Sequence, residues 1–415
     1  DAILTHDRPI AMRADDSVVK VAAGRPLFVR RARGYVPYPQ PVPEALRSEA
    51  TVVALGGELK STISLYKDGY VVTSQFLGDL DDYRNFGYFE EALAHLLRLF
   101  DAKPEIVVTD LHPGFRTTRY AERMGLPHVR VQHHFAHVLA PLIEHGHEPG
   151  RRVLGVSLDG YGYGEDGAAW GGEFLLADYD GYERFARFEA VPLPGGDLAA
   201  REPWRMALAW LDRAFDGAVP DLAVLRSLGR RRTAAVLAMA RSGLRSPRAS
   251  SCGRLFDAVS FLCGTAPERL EFEAEAAMRL EAAADRAHRG VYPVGIAAPG
   301  AAGGPLEISF APLVRALVHD LEKGTAVGTV SARFHDSLAG LILRVAGRAR
   351  RERGTAEVAL TGGVFLNRRL LERTEKRLAA AGFRVLRPLA YSPNDESLSL
   401  GQIARGLALV KSGGI

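Results

Sequence analysis

The 415-residue sequence predicts an α/β fold of two similar lobes with a nucleotide held between them, and three observations carry that prediction. Residues 51–73 read as strand, glycine turn, strand, turn, strand, and residues 153–188 repeat the plan. Each meander is followed by helical periodicity alternating with short buried-type strands, the pattern of parallel additions to a sheet. Glycine pairs stand in the turns of both copies and again at 362–363, where a backbone without Cβ can approach an anion closely.

In chain order, residues 1–45 do not read as a self-sufficient domain. A short strand over 13–19 and a basic stretch at 30–37 lead into an alternating proline segment at 37–43 with extended geometry. This piece is either the end of a larger domain or an arm packed on the first lobe or the second. A boundary near 45 opens the first lobe, 46–150. Its meander carries Gly56 and Gly57, with Lys60 and Ser61 placed to hold a phosphate; the alternative is an ordinary structural turn. A helix over 86–100, a buried strand over 105–110 and a helical run over 131–140 come next. The second lobe, 151–415, repeats the meander and then takes a helical insertion at about 197–290, with helices over 203–215, 223–241 and 271–287. Within it, residues 250–258 put Gly253, Arg254 and Asp257 at a helix start. Arg254 and Asp257 there either contact a nucleotide, the carboxylate bonding ribose hydroxyls, or pair with each other. Residues 297–305 are a proline- and glycine-rich surface loop. The last hundred residues give a helix over 330–353 closed by Gly354, a strand over 357–361, the Gly362-Gly363 turn, a helix over 367–381 and a returning strand over 383–388. Two such lobes are the organisation of actin-like, or sugar-kinase and chaperone, ATPases, an analogy of pattern.

Composition narrows the function classes. Hydrophobic residues make up 47% and charged residues 25%, as in an ordinary globular protein. A net charge of +4 from 53 basic and 49 acidic residues is close to balance, so nucleic acid is not the expected partner. The arginine runs at 230–232 and 348–353 lack the interleaved aromatics of single-strand readers. No apolar run reaches the roughly 18 residues of a membrane span, and residues 1–6 show neither a basic leader nor an apolar segment, so a cytoplasmic location is expected. Cys252 and Cys263, eleven positions apart, form no zinc-ribbon spacing or disulfide framework and read as core thiols.

The chemistry concentrates in Val131-Gln132-His133-His134-Phe135-Ala136-His137. At 3.6 residues per turn His133 and His137 project about 40° apart on one helix face, so two imidazoles can converge on one point. Asp159, ending a buried-type strand before a glycine run, and Asp395, in a C-terminal loop, offer two carboxylates. Such a set suits Fe(II), Zn or Mn. Hydrogen-bonded core histidines are the alternative. The zinc-protease motif is excluded, because His134 stands where that chemistry needs a glutamate base.

The stretches VALGGELKST (53–62), DLHPGFRTT (110–118), VQHHFAHVLA (131–140), LDGYGYGEDGAAWGGEF (158–174), REPWRMA (201–207), SSCGRLFDA (250–258), LTGGVFLN (360–367) and SPNDESLSLGQ (392–402) together resemble the carboxy-terminal part of the HypF family, the carbamoyltransferases of nickel-iron hydrogenase maturation. The likeness runs in the family's order from about 46 to 408, and residues before it resemble the end of that family's YrdC-like domain. The resemblance implies an actin-like (ASKHA) ATPase fold. It implies a mononuclear divalent metal, Fe or Zn, on His133, His137, Asp159 and Asp395. It further implies a nucleotide site drawn from Gly56, Gly57, Lys60, Gly160, Gly162, Gly172, Glu173, Gly362 and Gly363, with Arg254, Asp257 and Asn367 alongside. The implied substrate is carbamoyl-adenylate, made from carbamoyl phosphate and ATP. The implied partner is a HypE-type maturation protein, whose C-terminal cysteine accepts the carbamoyl group as a thiocarboxamide that later becomes a cyanide ligand. Lys60 would take the phosphate and His134 would serve as donor or base.

Acylphosphatase-like and Cys-rich zinc modules are not recognisable, so forming the adenylate is not expected of this polypeptide alone. Glu396 and Ser397 also stand where the family commonly has glycines. Rival readings are a tRNA threonylcarbamoyl transferase-like enzyme, against which the Arg-Glu-Pro-Trp-Arg run at 201–205 and the amino-terminal stretch argue, a natural-product O-carbamoyltransferase, and a nucleotide-binding scaffold without chemistry.

Overall fold

The computed structural model describes residues 2–298 and 303–415, and its two sheets share one plan. In the first lobe the antiparallel meander Val52–Ala54, Ser64–Lys67 and Tyr70–Thr73 is continued beyond its first strand by parallel strands Ile106–Asp110 and His128–Val131. In the second, Val153–Tyr163, Ala169–Ala177 and Tyr182–Phe188 form the meander, and Glu357–Thr361 and Arg384–Leu386 are the parallel additions. Both sheets thus run third, second, first, fourth, fifth strand, the duplication expected from the repeated pattern. The inner strands are buried on both faces, so they read as continuous apolar runs rather than alternating ones.

Two helices fill the space between the sheets. The helix His133–Glu144 packs on the second sheet, the C-terminal helix Leu398–Lys411 packs on the first, and the two press against each other. Every residue of His133–Glu144 except Glu144 is buried, as required of a helix that is apolar all round. Glycines permit the close approach. A Cβ on Gly155 would stand 2.7 Å from Val138 Cγ1, and one on Gly401 would stand 2.7 Å from the carbonyl carbon of Ala136.

Several boundaries differ from the sequence expectation for local reasons. Val131 ends a strand and Gln132 caps the histidine helix, its side-chain oxygen accepting the Phe135 amide at 2.9 Å. The helix expected over 223–241 is two, Ala223–Arg226 and Arg230–Ser242, parted at Gly229 with φ +81°. That over 271–287 shortens to Glu275–Ala283, because the buried Glu275 carboxylate turns back to the Glu271 amide at 2.7 Å. Of the loop expected at 297–305, positions 299–302 lie outside the described residues. The strand expected over 13–19 is a hairpin, Val18–Ala22 with Arg25–Arg30, that packs on the second lobe. Its tip is held by Glu372, which accepts the Ala23 amide at 3.0 Å, and by Arg387, which donates to the Ala22 carbonyl at 3.2 Å. Among the described residues no helix is long and apolar enough to cross a membrane.

Candidate metal centre and nucleotide cleft

Four side chains from three parts of the chain meet between the sheets. His133 and His137 come from the first two turns of the central helix. Asp159 comes from the strand Val153–Tyr163, and Asp395 opens a single tight turn, Asp395–Ser397, before the C-terminal helix. One donor atom from each lies within 4.8 Å of all the others. His137 Nε2 is 3.0 Å from Asp159 Oδ2 and 3.4 Å from Asp395 Oδ1; His133 Nε2 is 3.7 and 3.8 Å from the same oxygens.

The donor set fits a divalent cation. His133 Nε2, His137 Nε2 and Asp159 Oδ2 are buried without a hydrogen-bond partner, because their lone pairs point at a shared centre rather than along one another's bonds. Behind His133, Asp110 Oδ2 accepts from Nδ1 at 2.8 Å, which fixes the tautomer and leaves Nε2 as the ligand atom. The electrostatics agree. Burial alone would strip a proton from His133 and His137, yet the Asp110, Asp159 and Asp395 carboxylates hold both imidazoles above their ordinary value. Burial likewise works against the Asp159 carboxylate, and its two histidines overcome it, keeping it well below the usual range. A bound cation would provide the same compensation in place of those protons.

His134 faces another way. Its Nδ1 lies 3.3 Å from Gln132 Nε2, and because the Gln132 oxygen is taken by the helix cap, that nitrogen is the amide donor. Burial first, and then the charge of His133, push His134 well below its ordinary value. The ring is therefore neutral with its proton on Nε2, a buried donor without a partner. Gly162 lies under these rings: a Cβ there would stand 2.6 Å from His133 Cδ2, so this glycine is needed for imidazole packing.

The remaining expected nucleotide residues divide into two groups. Gly160, Gly362 and Gly363 border the cluster. Gly362 has φ +92°, and a Cβ on Gly363 would stand 3.2 Å from Asp159 Oδ1, so that turn lies beside the carboxylate. Gly253, at the start of the helix Cys252–Leu262, approaches Gly160 so closely that a Cβ would stand 2.9 Å from its Cα. The Lys60 ammonium reaches the same place. It pairs with Glu273 at 2.6 Å, and although burial alone would discharge it, Asp395, Glu273 and Asp159 hold its proton. Gly56, with φ +68°, is locked through its amide and carbonyl to Gln402, at 2.9 and 3.1 Å, and Gly57 faces Leu398.

The second group is engaged in internal bonds. Gly172 and Glu173 stand inside the strand Ala169–Ala177, not in a turn, and the Glu173 carboxylate is taken by Arg184 and Ser250, each at 2.7 Å. Arg254 and Asp257 form the internal pair, Nε to Oδ2 2.9 Å; burial pushes Asp257 up to about 6 while Arg254 pulls it down. Asn367 caps the helix Arg368–Ala380 by accepting the Leu370 amide at 2.9 Å, and its Nδ2 donates to His335 Nε2 at 2.9 Å.

That last contact makes a pH prediction. His335 is fully buried, gives its Nδ1 proton to the Ser331 carbonyl at 2.7 Å, and is pushed down to about 4, mainly by burial. A depressed histidine stabilises the fold above its unfolded value of about 6.5, and that contribution is lost as pH falls towards the folded value. Between pH 7 and 5 this site is expected to remove about 2 kcal/mol of stability. Urea unfolding of the wild type and His335→Gln at both pH values checks this: the variant's own acid loss should be smaller by that amount, and an identical loss refutes it.

Asp110 and Gln132 were not among the sequence candidates, although both act on the histidines. The available signal was a carboxylate ending a buried strand that itself precedes the histidine helix.

The family models fall on the same architecture. One described as the HypF Kae1-like domain matches residues 47–144, and one described as the carbamoyltransferase Kae1-like domain, second subdomain, matches 155–402. Among curated relatives, carbamoyltransferase HypF of Rhodobacter capsulatus is 42% identical over 99% of this chain and 54% of its own length, and that of Rhizobium leguminosarum bv. viciae 39% identical over 97% and 51%. The chain thus spans about half the length of these relatives. A carbamoyltransferase HypF homolog of Cupriavidus necator is 37% identical over 85% of this chain and 90% of its own. Full-length HypF solved in a phosphate- and nucleotide-bound form superposes with a TM-score of 0.91 at 33% identity, over 98% of this chain and 62% of that one. HypF of T. kodakarensis gives 0.84 at 30%, over 96% and 53%. With both family models in register with the two lobes, the chain belongs to the HypF carbamoyltransferase family.

Proposed function

We propose that this chain transfers the carbamoyl group of carbamoyl-adenylate to the C-terminal cysteine thiol of a HypE-type maturation protein, giving a thiocarboxamide and AMP. The observation that carries the reading is the convergence of unpartnered His133, His137 and Asp159 atoms with Asp395 beside the Gly362-Gly363 turn. A nucleotide-bound relative of the same fold supports an adenylate in this cleft.

Carbamoyl-adenylate is a mixed anhydride, activated by its AMP leaving group. The partner sulfur attacks the carbonyl carbon, a C–S bond forms, and the C–O bond to phosphate breaks with its electron pair leaving on the phosphate oxygen; the thiol proton passes to solvent. His133, His137, Asp159 and Asp395 would hold an iron or zinc ion, which supplies positive charge to polarise a substrate oxygen. The chain's own groups do the rest. The Lys60 ammonium faces the phosphate side, the His134 Nε2 proton is the neutral donor for a developing oxyanion, and the glycine turns bring backbone amides up to the nucleotide. Formation of the adenylate is not assigned to these residues, and the reaction is assigned to the cytoplasm, where an acceptor thiol stays reduced.

The test supplies carbamoyl-adenylate and the partner to the purified, metal-analysed protein and tracks the partner's C-terminal peptide by mass spectrometry. A carbamoyl adduct on that cysteine, dependent on this protein, is the expected outcome. Adduct formation that ignores its presence rejects the reading, as does salt-sensitive tRNA retardation with transfer to tRNA.

A further inference from the structure

The loop carrying Asp395 is gripped from two sides. Upstream, the amides of Leu389 and Ala390 donate to Glu144, the last residue of the histidine helix, at 3.0 and 2.6 Å. Downstream, Asn394 Nδ2 donates to the Val29 carbonyl at 3.2 Å, and the Glu396 carboxylate accepts the Arg31 amide at 2.7 Å. Val29 and Arg31 belong to the amino-terminal arm, 365 positions earlier in each pair. The Arg31 carbonyl accepts from the Phe76 amide of the first lobe at 3.2 Å, and its guanidinium lies 4.5 Å over the Tyr391 ring. Arg31 and Glu396 are 3% and 1% exposed. The Glu396 carbonyl is itself held by the Thr62 hydroxyl at 2.8 Å. One arm residue thus touches the first lobe, the loop's aromatic and the neighbour of Asp395.

We propose that Arg31 is a positioning residue for Asp395: its backbone fastens Glu396 and its guanidinium backs Tyr391, so the carboxylate keeps its place among the histidines while the arm is seated. The proposal rests on reading the cluster as a metal centre. It concerns a feature of this chain, since Glu396 occupies a place where the family resemblance leads one to expect glycine. Plain coverage of the second lobe is served by other contacts, the Ala23 amide on Glu372 and the Ala22 carbonyl on Arg387, which do not involve the loop.

The experiment measures zinc(II) affinity of the full chain by competition with a chromophoric chelator. Glu396→Gly, which removes the acceptor, is expected to bind about tenfold or more weakly, the scale of losing an outer-sphere partner. Glu396→Gln, which keeps an oxygen for the Arg31 amide, and Glu372→Ala, which frees only the hairpin tip, should stay within about threefold of the wild type, below the range for such a loss. Equal affinities for Glu396→Gly and wild type overturn the proposal, as does an equal loss in Glu396→Gln. Hydrogen exchange of the unaltered protein is the second readout and needs no variant to fold. The Arg31 amide and those of 394–397 should open as one unit, and independent opening of Arg31 overturns the coupling. A wild type that binds no zinc rejects the metal reading, while the exchange measurement still decides whether arm and loop move together.

Discussion

His137→Ala is expected to lose zinc or iron by more than a hundredfold and to abolish carbamoyl transfer. Loss of an outer-sphere partner costs about 10–100-fold in metal affinity, and His137 stands closer than that, with Nε2 3.0 Å from Asp159 Oδ2 and no other bond to make. Because the imidazole has no hydrogen-bond partner, its removal orphans no group. The stability cost is that of a cavity, about 2–4 kcal/mol, and His137→Gln, which fills more of the space, reduces it. Asp110 gives the graded comparison. Both its oxygens accept, Oδ1 from the His112 amide and Oδ2 from His133 Nδ1, each at 2.8 Å, so an asparagine can satisfy only one of the two. Asp110→Asn is expected to weaken the metal about tenfold, with the cofactor still present at saturating concentration. Metal analysis after dialysis, and transfer measured with and without added metal, separate the two variants. Full transfer by a metal-depleted His137→Ala protein would falsify the assignment of the centre.

Much of the architecture was legible because it is written in local pattern. The two meanders, the Gly354 helix stop and the buried strand Glu357–Thr361 are each set by residues within a few positions of one another. The four converging side chains were legible for a different reason: helical spacing joined His133 to His137, and the chemistry of the donors suggested the carboxylates. What stayed hidden depends on contacts across the sequence. The string Gly171-Gly172-Glu173 looks like a turn, but Phe188 and the Ser250 carbonyl crowd Gly172 from neighbouring segments and the chain continues as strand. Asp110 looks like a strand end until His133 is brought against it. Arg254 and Asp257 satisfied two alternatives equally in sequence, and the structure pairs them with each other. The arm was ambiguous because its strongest anchors, Glu372, Arg387 and Glu396, lie at the opposite end of the chain.

Gly401→Ala shows how a long-range contact reverses a local rule. Position 401 lies inside the helix Leu398–Lys411, where propensity alone favours alanine over glycine by about 1 kcal/mol. The new methyl, however, would stand 2.7 Å from the carbonyl carbon and 3.1 Å from the Cα of Ala136, with the carbonyl oxygen nearer still. These are backbone atoms of a fully buried helix and cannot rotate aside, so the two helices must part. Overpacking of this kind costs about 1–3 kcal/mol and more when backbone has to move, which outweighs the propensity gain; a net loss of about 2–3 kcal/mol is expected. The displacement also separates His133 and His137, on one helix, from Asp395 at the head of the other, so metal affinity should fall in the same variant. Gly347→Ala is the control. It too is mid-helix, but its Cβ would meet only the tip of Arg351 at 3.6 Å, so it should gain a few tenths to about 1 kcal/mol. Urea unfolding midpoints that move in opposite directions for the two substitutions are the expected result. A Gly401→Ala protein as stable as the wild type would mean that the helices carrying the centre do not touch where the structure brings them together.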